Sequence, residues 1–435
     1  MTETLKHPTR NQNTEKYLHY KKVLFKILTI LQDARIQFIE GGHTVMLGDH
    51  RANLTGVIEV FDPSFYYDIV CHGSIGAAEA YFQHKWSSPC LTKVIQALAR
   101  NQDQLDALEK KTRWLTKFNH EYLKFIRVNT EKKAKQNIMA HYDLGNDFYR
   151  LFLDPNMQYS CARFNQPNQD LATAQTQKIE AIAAALDIQP GDRVLEIGSG
   201  WGGLAIHLVK AYDCHVTTTT ISDAQFNHIE QQLFEQNLQD KVRLLKQDYR
   251  QLQEQYDKIV SIEMIEAVGH QYLHNFFQQC DQCPKPDGIM VLQAITMLDH
   301  RYENYRKNID FIQKYIFPGG CLPSLGIILE HIAQFTDMTL HHVQEIGQHY
   351  AMTLQHWRES CEQQQQAMQQ LGFDNTFQRL WHYYFSYCEG AFLEKAILSY
   401  QLTFHKPKQK GRTDQWLDTA STPVAATEAT PLPTS

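Results

Sequence analysis

Residues 194–205, Val194-Leu195-Glu196-Ile197-Gly198-Ser199-Gly200-Trp201-Gly202-Gly203-Leu204-Ala205, carry the strongest chemical signal in the chain. An apolar strand runs into a glycine-rich turn and then a helix. Gly198 and Gly200 let the backbone approach a bulky ligand, and the helix start offers unpaired N–H groups to its polar part. Tight strand-to-helix turns also need glycine for steric reasons alone, so context decides the reading. A dinucleotide site would want G-x-G-x-x-G, whereas this turn reads Gly-Ser-Gly-Trp-Gly-Gly, with acidic Glu196 two places before its first glycine. Cys280-x-x-Cys283 has the look of a redox or metal motif, but no second Cys or His pair stands at ligand spacing. Pro284-Lys285-Pro286-Asp287-Gly288 after it reads as a helix exit into a turn. We read the pair as structural and expect no metal site.

The elements that must position the turn alternate. Helix patterns cover Lys178–Leu186, Leu204–Tyr212 and Asp223–Gln236. Strand patterns cover Arg193–Ile197, His215–Thr219, Val242–Leu245, Lys258–Ile262 and Gly288–Gln293. Such alternation predicts an α/β fold, a mostly parallel sheet covered on both faces. Residues 300–400 read as mainly helical. Ahead of this unit, a helical stretch from Tyr17 and short strands near Ile36–Ile39 and Gly56–Phe61 precede a small-residue helix start at Gly73. The predicted organisation is an amino-terminal α+β lobe over residues 1–105, a basic linker helix over 106–140, a catalytic unit over 141–405 and a tail over 406–435. That tail has few large apolar groups and should be disordered.

A length of 435 residues is more than one average core serves. The net charge of −6 gives no global attraction to nucleic acid, and no nucleic-acid partner is expected. The exception is local. Lys110, Lys111, Arg113, Lys117, Lys124, Arg127, Lys132, Lys133 and Lys135 face only Glu121 and Glu131. On a helix, Trp114, Leu115, Phe118, Tyr122, Phe125 and Ile126 share one side. Two readings stand: a connecting helix whose stripe packs on the core, or an amphipathic surface resting on anionic lipid. No eighteen apolar residues run together and the first residues are polar, which predicts a cytoplasmic protein. The nine cysteines, odd in number and scattered, read as reduced thiols.

The glycine turn resembles the first motif of S-adenosylmethionine-dependent methyltransferases, and the Rossmann-like sheet of that class is what the resemblance implies. The strand Val216 to Thr220 lacks the acid that usually holds the ribose hydroxyls, and Thr220 and Gln225 stand nearby instead. The segment Thr220-Ile221-Ser222-Asp223-Ala224-Gln225 resembles cyclopropane-fatty-acyl-phospholipid synthases and mycolic acid cyclopropane synthases. Four further segments resemble the same family: His141 to Tyr149, Asp154 to Cys161, Met264 to Gly269 and Tyr315 to Ser324. The likeness spans roughly Ala34 to Thr403.

The resemblance implies S-adenosylmethionine lying over Gly198 and Gly200, with Tyr159 and Ser160 helping to enclose it and Thr220 and Gln225 at its polar end. It also implies a bicarbonate ion beside the sulfonium methyl. Cys161, Glu266, the amide of Ile295 and Tyr350 match four of the five groups that hold this ion in the family. At the fifth, the best-known members have histidine and this chain has Gln293, which can hold an anion but cannot titrate. His341-His342 stands where a carboxylate near the site is common, and we read it as surface. Homodimers are implied as well.

An isolated alkene is a poor nucleophile, so its π electrons must be held in line behind the sulfonium methyl in a dry pocket. Transfer leaves a carbocation on the lipid chain, and a positioned base must then take a proton from the added methyl for a ring to close. On this reading Glu266 orients the bicarbonate, Cys161 and Gln293 complete its cage, and Tyr350 contacts the ion or steadies the cation with its ring. The phospholipid stays in the bilayer, so the protein should sit transiently on the inner membrane face while one unsaturated acyl chain slides in. Trp114 and Phe118 are the candidate anchors. Gln293 keeps open a methyl-branched or methylenated product. Two other readings are a small-molecule methyltransferase and a lipid-binding protein without turnover.

Overall fold

A computed structural model describes residues 10–112 and 144–408. The amino-terminal lobe opens with α1 (Arg10–Leu28) and the hairpin β1 (Arg35–Glu40) and β2 (His43–Gly48), then β3 (Thr55–Val60), α2 (Ser64–Phe82), β4 (Trp86–Ser87), α3 (Leu91–Arg100) and α4 (Gln102–Thr112). Its sheet order is β2-β1-β3-β4, with β1 and β3 parallel. The small-residue start expected at Gly73 is a break within α2: Gly73 sits at φ 58°, where glycine alone is comfortable, and the helix resumes beyond it. The basic segment 113–135, with Trp114 and Phe118, the homologous residues His141 to Asp143, and the tail after 408 lie outside the described residues.

The larger sheet runs β10-β11-β9-β8-β5-β6-β7. Its centre consists of β5 (Arg193–Ile197), β6 (His215–Thr219), β7 (Val242–Leu245), β8 (Tyr256–Ile262) and β9 (Pro284–Met297). These strands pair in parallel, and β5 is buried along Val194 to Ile197, as a strand covered on both faces must be. The crossovers include α7 (Gly203–Tyr212), α8 (Asp223–Glu235) and α9 (Leu273–Gln282), while α5 (Asn146–Arg150) and α6 (Leu171–Leu186) precede β5. Asp170 caps α6 by accepting from the Thr173 amide, and Ser222 caps α8 by accepting from Gln225 N–H.

The region 300–400 is mainly helical, as expected, but it holds two strands that the sequence did not disclose, and two further expectations need correction. Its helices are α10 (Asp299–Tyr305), α11 (Phe311–Tyr315), α12 (Leu325–Phe335), α13 (Gly347–Gln363), α14 (Gln365–Gln370) and α15 (Asn375–Leu393). It also contributes β10 (Thr339–Glu345) and β11 (Ile397–His405). β10 is a solvent-facing edge strand whose residues are mostly exposed, so it lacks an apolar alternation, and β11 pairs antiparallel with both β10 and β9. First, residues 284–288 are not a turn but the start of β9, carried by pairing with Tyr256 of β8. Second, β9 runs on to Met297, so Gln293 and Ile295 lie inside the strand rather than at its end. Cys280 and Cys283 are buried in the core beside Leu252 and Tyr256.

The two lobes share one core. Phe148 of α5 meets Trp381 of α15 at 4.6 Å between ring centroids, and the same apolar cluster continues to Phe38 and Ile95 of the amino-terminal lobe. Thr92 donates to Glu389 at 3.0 Å, and Arg100 pairs with Glu394 at 2.8 Å across that boundary.

Candidate active site

A cavity of about 1740 Å³ begins at the glycine turn and runs to Ile36, Phe38, Ile58 and Ile95 of the amino-terminal lobe. At its polar end Gly198 adopts φ 94° and Gly200 φ 49°, and Ser199 N–H is tied to the Thr219 carbonyl of β6 at 3.0 Å. A β-carbon at Gly198 would stand 3.1 Å from Met264 Cγ, so glycine there lets β5 and the end of β8 close on one another. Thr220 donates to Gln225 Oε1 at 2.8 Å, and both line the cavity with Glu196 and Asp248. Glu196 accepts from Thr218 at 2.6 Å, and burial pushes its carboxyl up to about 8. Tyr159 and Ser160 also border the cavity, the tyrosine hydroxyl 3.1 Å from that of Tyr384. Open glycine backbone beside paired neutral polar groups and carboxyls fits a cofactor with a cationic centre and a ribose, such as S-adenosylmethionine.

Next to the turn, Glu263, the first residue after β8, organises the groups that the sequence singled out. It stands at φ 49° and its backbone N–H reaches the Gln293 carbonyl at 2.8 Å. Its Oε1 accepts from the Cys161 amide at 2.9 Å and from Gln293 Nε2 at 2.8 Å, and its Oε2 accepts from the Tyr350 hydroxyl at 2.7 Å. Gln293 is oriented from behind: Gln401 of β11 donates to its Oε1 at 2.9 Å, which leaves its NH₂ to face the carboxylate and the Cys161 carbonyl at 3.4 Å. Tyr350 is further fixed by stacking on Phe392 at 4.5 Å. Burial, and then the Glu263 charge, push its phenol well above the ordinary value, so it remains a donor.

Glu266 sits one turn on. Its Oε1 accepts from the Ile295 amide at 2.6 Å, while its shielded Oε2 has no protein partner. Burial, and then the nearby Glu263, push its carboxyl up to about 8. Burial raises Glu263 as well, but three donors and the Lys178 ammonium hold it back. Of two neighbouring carboxyls, then, Glu266 is the one that keeps a proton at neutral pH.

Of the five residues expected around an anion, Cys161, Gln293 and Tyr350 converge on Glu263, and the Ile295 amide meets the neighbouring Glu266. Bicarbonate does not fit this arrangement. The Cys161 amide, Gln293 and Tyr350 are spent on the Glu263 carboxylate and the Ile295 amide on Glu266, so a further anion would meet the Glu263 charge with only the Glu266 carboxyl proton left to bind it among these groups. Cys161 is also corrected: fully buried, it does not border the cavity, and its thiol points to the Ala162 and Ile346 carbonyls at 3.2 and 3.6 Å. Burial raises that thiol well above its ordinary value, so its contribution is its backbone amide. Gln293 likewise stands behind Glu263, without a wall of its own on the cavity.

Sequence reasoning missed three groups. Glu263 falls three residues before Glu266 at the end of an apolar strand, a pairing of carboxyls that is itself a signal. Lys178 is fully buried and donates to Gln158 Oε1 at 2.6 Å and Ser160 Oγ at 3.0 Å. Its signal is a charge on the buried face of α6, four residues from both Ala174 and Ile182. Gln401 could not be found without the register of β11 on β9. His341 and His342 are exposed on β10, as expected.

Comparison with known proteins agrees with this geometry. The chain is 38% identical over 339 residues, 76% of its length, to a tuberculostearic acid methyltransferase of Mycobacterium tuberculosis, of which the match covers 79%. It is 34% identical to the cyclopropane-fatty-acyl-phospholipid synthase of Escherichia coli strain K12, over 81% of this chain and 89% of that one. A solved mycolic acid cyclopropane synthase complexed with SAH and CTAB superposes with TM-score 0.59 at 33% identity, covering 62% of this chain and 98% of the other. Residues 129–402 match the mycolic acid cyclopropane synthetase family, and with that match joined to these relatives the chain is a member of that family of S-adenosylmethionine-dependent methyltransferases.

Proposed function

We propose that the protein adds one carbon from S-adenosylmethionine to the cis double bond of a phospholipid acyl chain and closes it to a cyclopropane. The observation that carries this reading is the cavity itself: a glycine turn and a hydrogen-bonded carboxylate share one end, and an apolar channel leads from them to the amino-terminal lobe. S-adenosylmethionine, when bound, supplies an electrophilic methyl group. The chain's own residues do the rest. The apolar walls exclude water and hold an alkyl chain, Tyr350 presents its ring and a tied-down hydroxyl, and Glu263 places negative charge where a cation would develop. A small-molecule methyltransferase takes its polar nucleophile from the substrate and would need polar groups to place it, whereas most of this cavity wall is apolar.

Among the described residues no helix is long and apolar enough to cross a membrane. The amino-terminal lobe exposes Phe61 and Val45, and with the basic segment 110–135 these are the groups we assign to docking on anionic lipid. Expression in a bacterium lacking cyclopropane lipids tests the reading. Phospholipid acyl chains should gain one carbon, with cyclopropyl protons in the NMR spectrum. A gain of one carbon without ring protons would point to a methyl product, the activity named for the Mycobacterium tuberculosis relative, and unchanged lipids would refute both.

A further inference from the structure

We propose that Glu263 is the general base of the reaction, a built-in carboxylate that replaces a bound bicarbonate ion. The assignment rests on the alkene reading above and adds the group that completes it. Glu263 borders the cavity, adjoins the glycine turn through Met264, and gathers the Cys161 amide, Gln293 and Tyr350, three donors suited to an anion. Cys161 and Gln293 lie behind it and Gln401 lies behind Gln293, so the layers of support converge on its two oxygens. Glu266 has one donor and an unpartnered oxygen, the pattern of a carboxyl that stays protonated beside a charged neighbour.

The step balances without a further reactant. Once an alkene carbon has bonded to the methyl, the adjacent carbon is cationic. The Glu263 carboxylate takes a proton from the new methyl group, and the C–H electron pair forms the third side of the ring. Glu263 is left as a carboxylic acid and returns the proton to solvent as product leaves. Two hydrogen bonds on Oε1 and one on Oε2 restrain the carboxylate from attacking the cation and forming an ester.

The test uses the full chain, methyl-tritiated S-adenosylmethionine and vesicles of a phospholipid with cis-monounsaturated chains, in buffer freed of bicarbonate and again with bicarbonate added. Wild type should label lipid at the same rate in both. Glu263→Gln should fall by at least about a hundredfold, in the range of a lost general base, with SAH affinity by calorimetry unchanged. Glu263→Gly should fold, because φ 49° suits glycine, should be equally slow in bicarbonate-free buffer, and should recover when formate or bicarbonate fills the vacated cage. A wild-type rate that climbs with bicarbonate, a Glu263→Gln rate within about threefold of wild type, or a Glu263→Gly variant that neither ion revives would overturn the assignment while leaving the alkene reading intact. Absence of label from wild-type lipid would overturn the alkene reading and this assignment with it.

Discussion

Replacing Glu266 by glutamine should stabilise the protein, and by an amount that grows with pH. Its carboxyl titrates at about 8 in the folded chain against an ordinary 4.5. A folded-state value raised above the unfolded one means that the folded chain holds the proton more tightly. The contribution of this carboxyl to stability is therefore greatest in acid, declines as pH rises past 4.5, and stops declining once pH exceeds 8. Each pH unit inside that window costs about 1.4 kcal/mol, so at pH 7 wild type carries a penalty of up to about 3 kcal/mol that a neutral amide does not. The amide keeps an acceptor for the Ile295 N–H and leaves the other end as unpartnered as the carboxylic acid it mimics. Denaturant unfolding of both proteins at pH 6, 7 and 8 measures the gap, which should widen in favour of Glu266→Gln by about 1.4 kcal/mol per pH unit. Because the amide imitates the protonated form, activity at pH 7 should fall by less than about tenfold, well short of the loss of a general base. A gap that stays flat with pH, or a variant less stable than wild type at pH 8, would refute the division of charge between the two carboxyls.

Two further substitutions probe other parts of the site. Thr220→Ala breaks the bond that aims Gln225 and should weaken SAH binding by about tenfold, the worth of one hydrogen bond, with little change in melting temperature, as calorimetry of each would show. Lys178→Met removes the ammonium that offsets Glu263 and strands Gln158 and Ser160; the acid limb of the pH–rate profile should move to higher pH, and an unmoved limb would exclude Lys178 from the electrostatics of the base.

Much of this architecture was legible because its signals are local. The parallel strands β5 to β8 are short runs rich in apolar or β-branched residues, and the glycines at 198 and 200 had to be glycine for backbone reasons that a sequence displays. The antiparallel strands were not legible. β10 is an exposed edge with no apolar alternation, and β11 takes its place only through long-range pairing. The site residues divide in the same way. Of the residues that the resemblance singled out, Glu266, Ile295 and Tyr350 border the cavity, but Cys161 was assigned a face that its burial denies. The resemblance also passed over Glu263, whose importance lies in the three donors brought to it from residues 161, 293 and 350. Gln293, read alone, is a group that can hold an anion but cannot titrate. In place it is an amide locked between Gln401 and a carboxylate, and a glutamine supplies both the acceptor and the donor that this position needs.

The shared core has a consequence for how the chain can be cut. Ile95 packs so closely on α15 that a β-carbon at Gly390 would come within 2.8 Å of its Cβ, and the Arg379 guanidinium reaches back to the carbonyls of Tyr81 and Trp86 at 2.9 Å each. A truncation that begins after residue 105 would bare that side of α15 and invite aggregation, and the full chain should melt in a single calorimetric transition. The amino-terminal lobe is thereby held against the helix that carries Tyr384, whose hydroxyl meets that of Tyr159 on the cavity wall, so a displacement of one lobe is felt at the other's site.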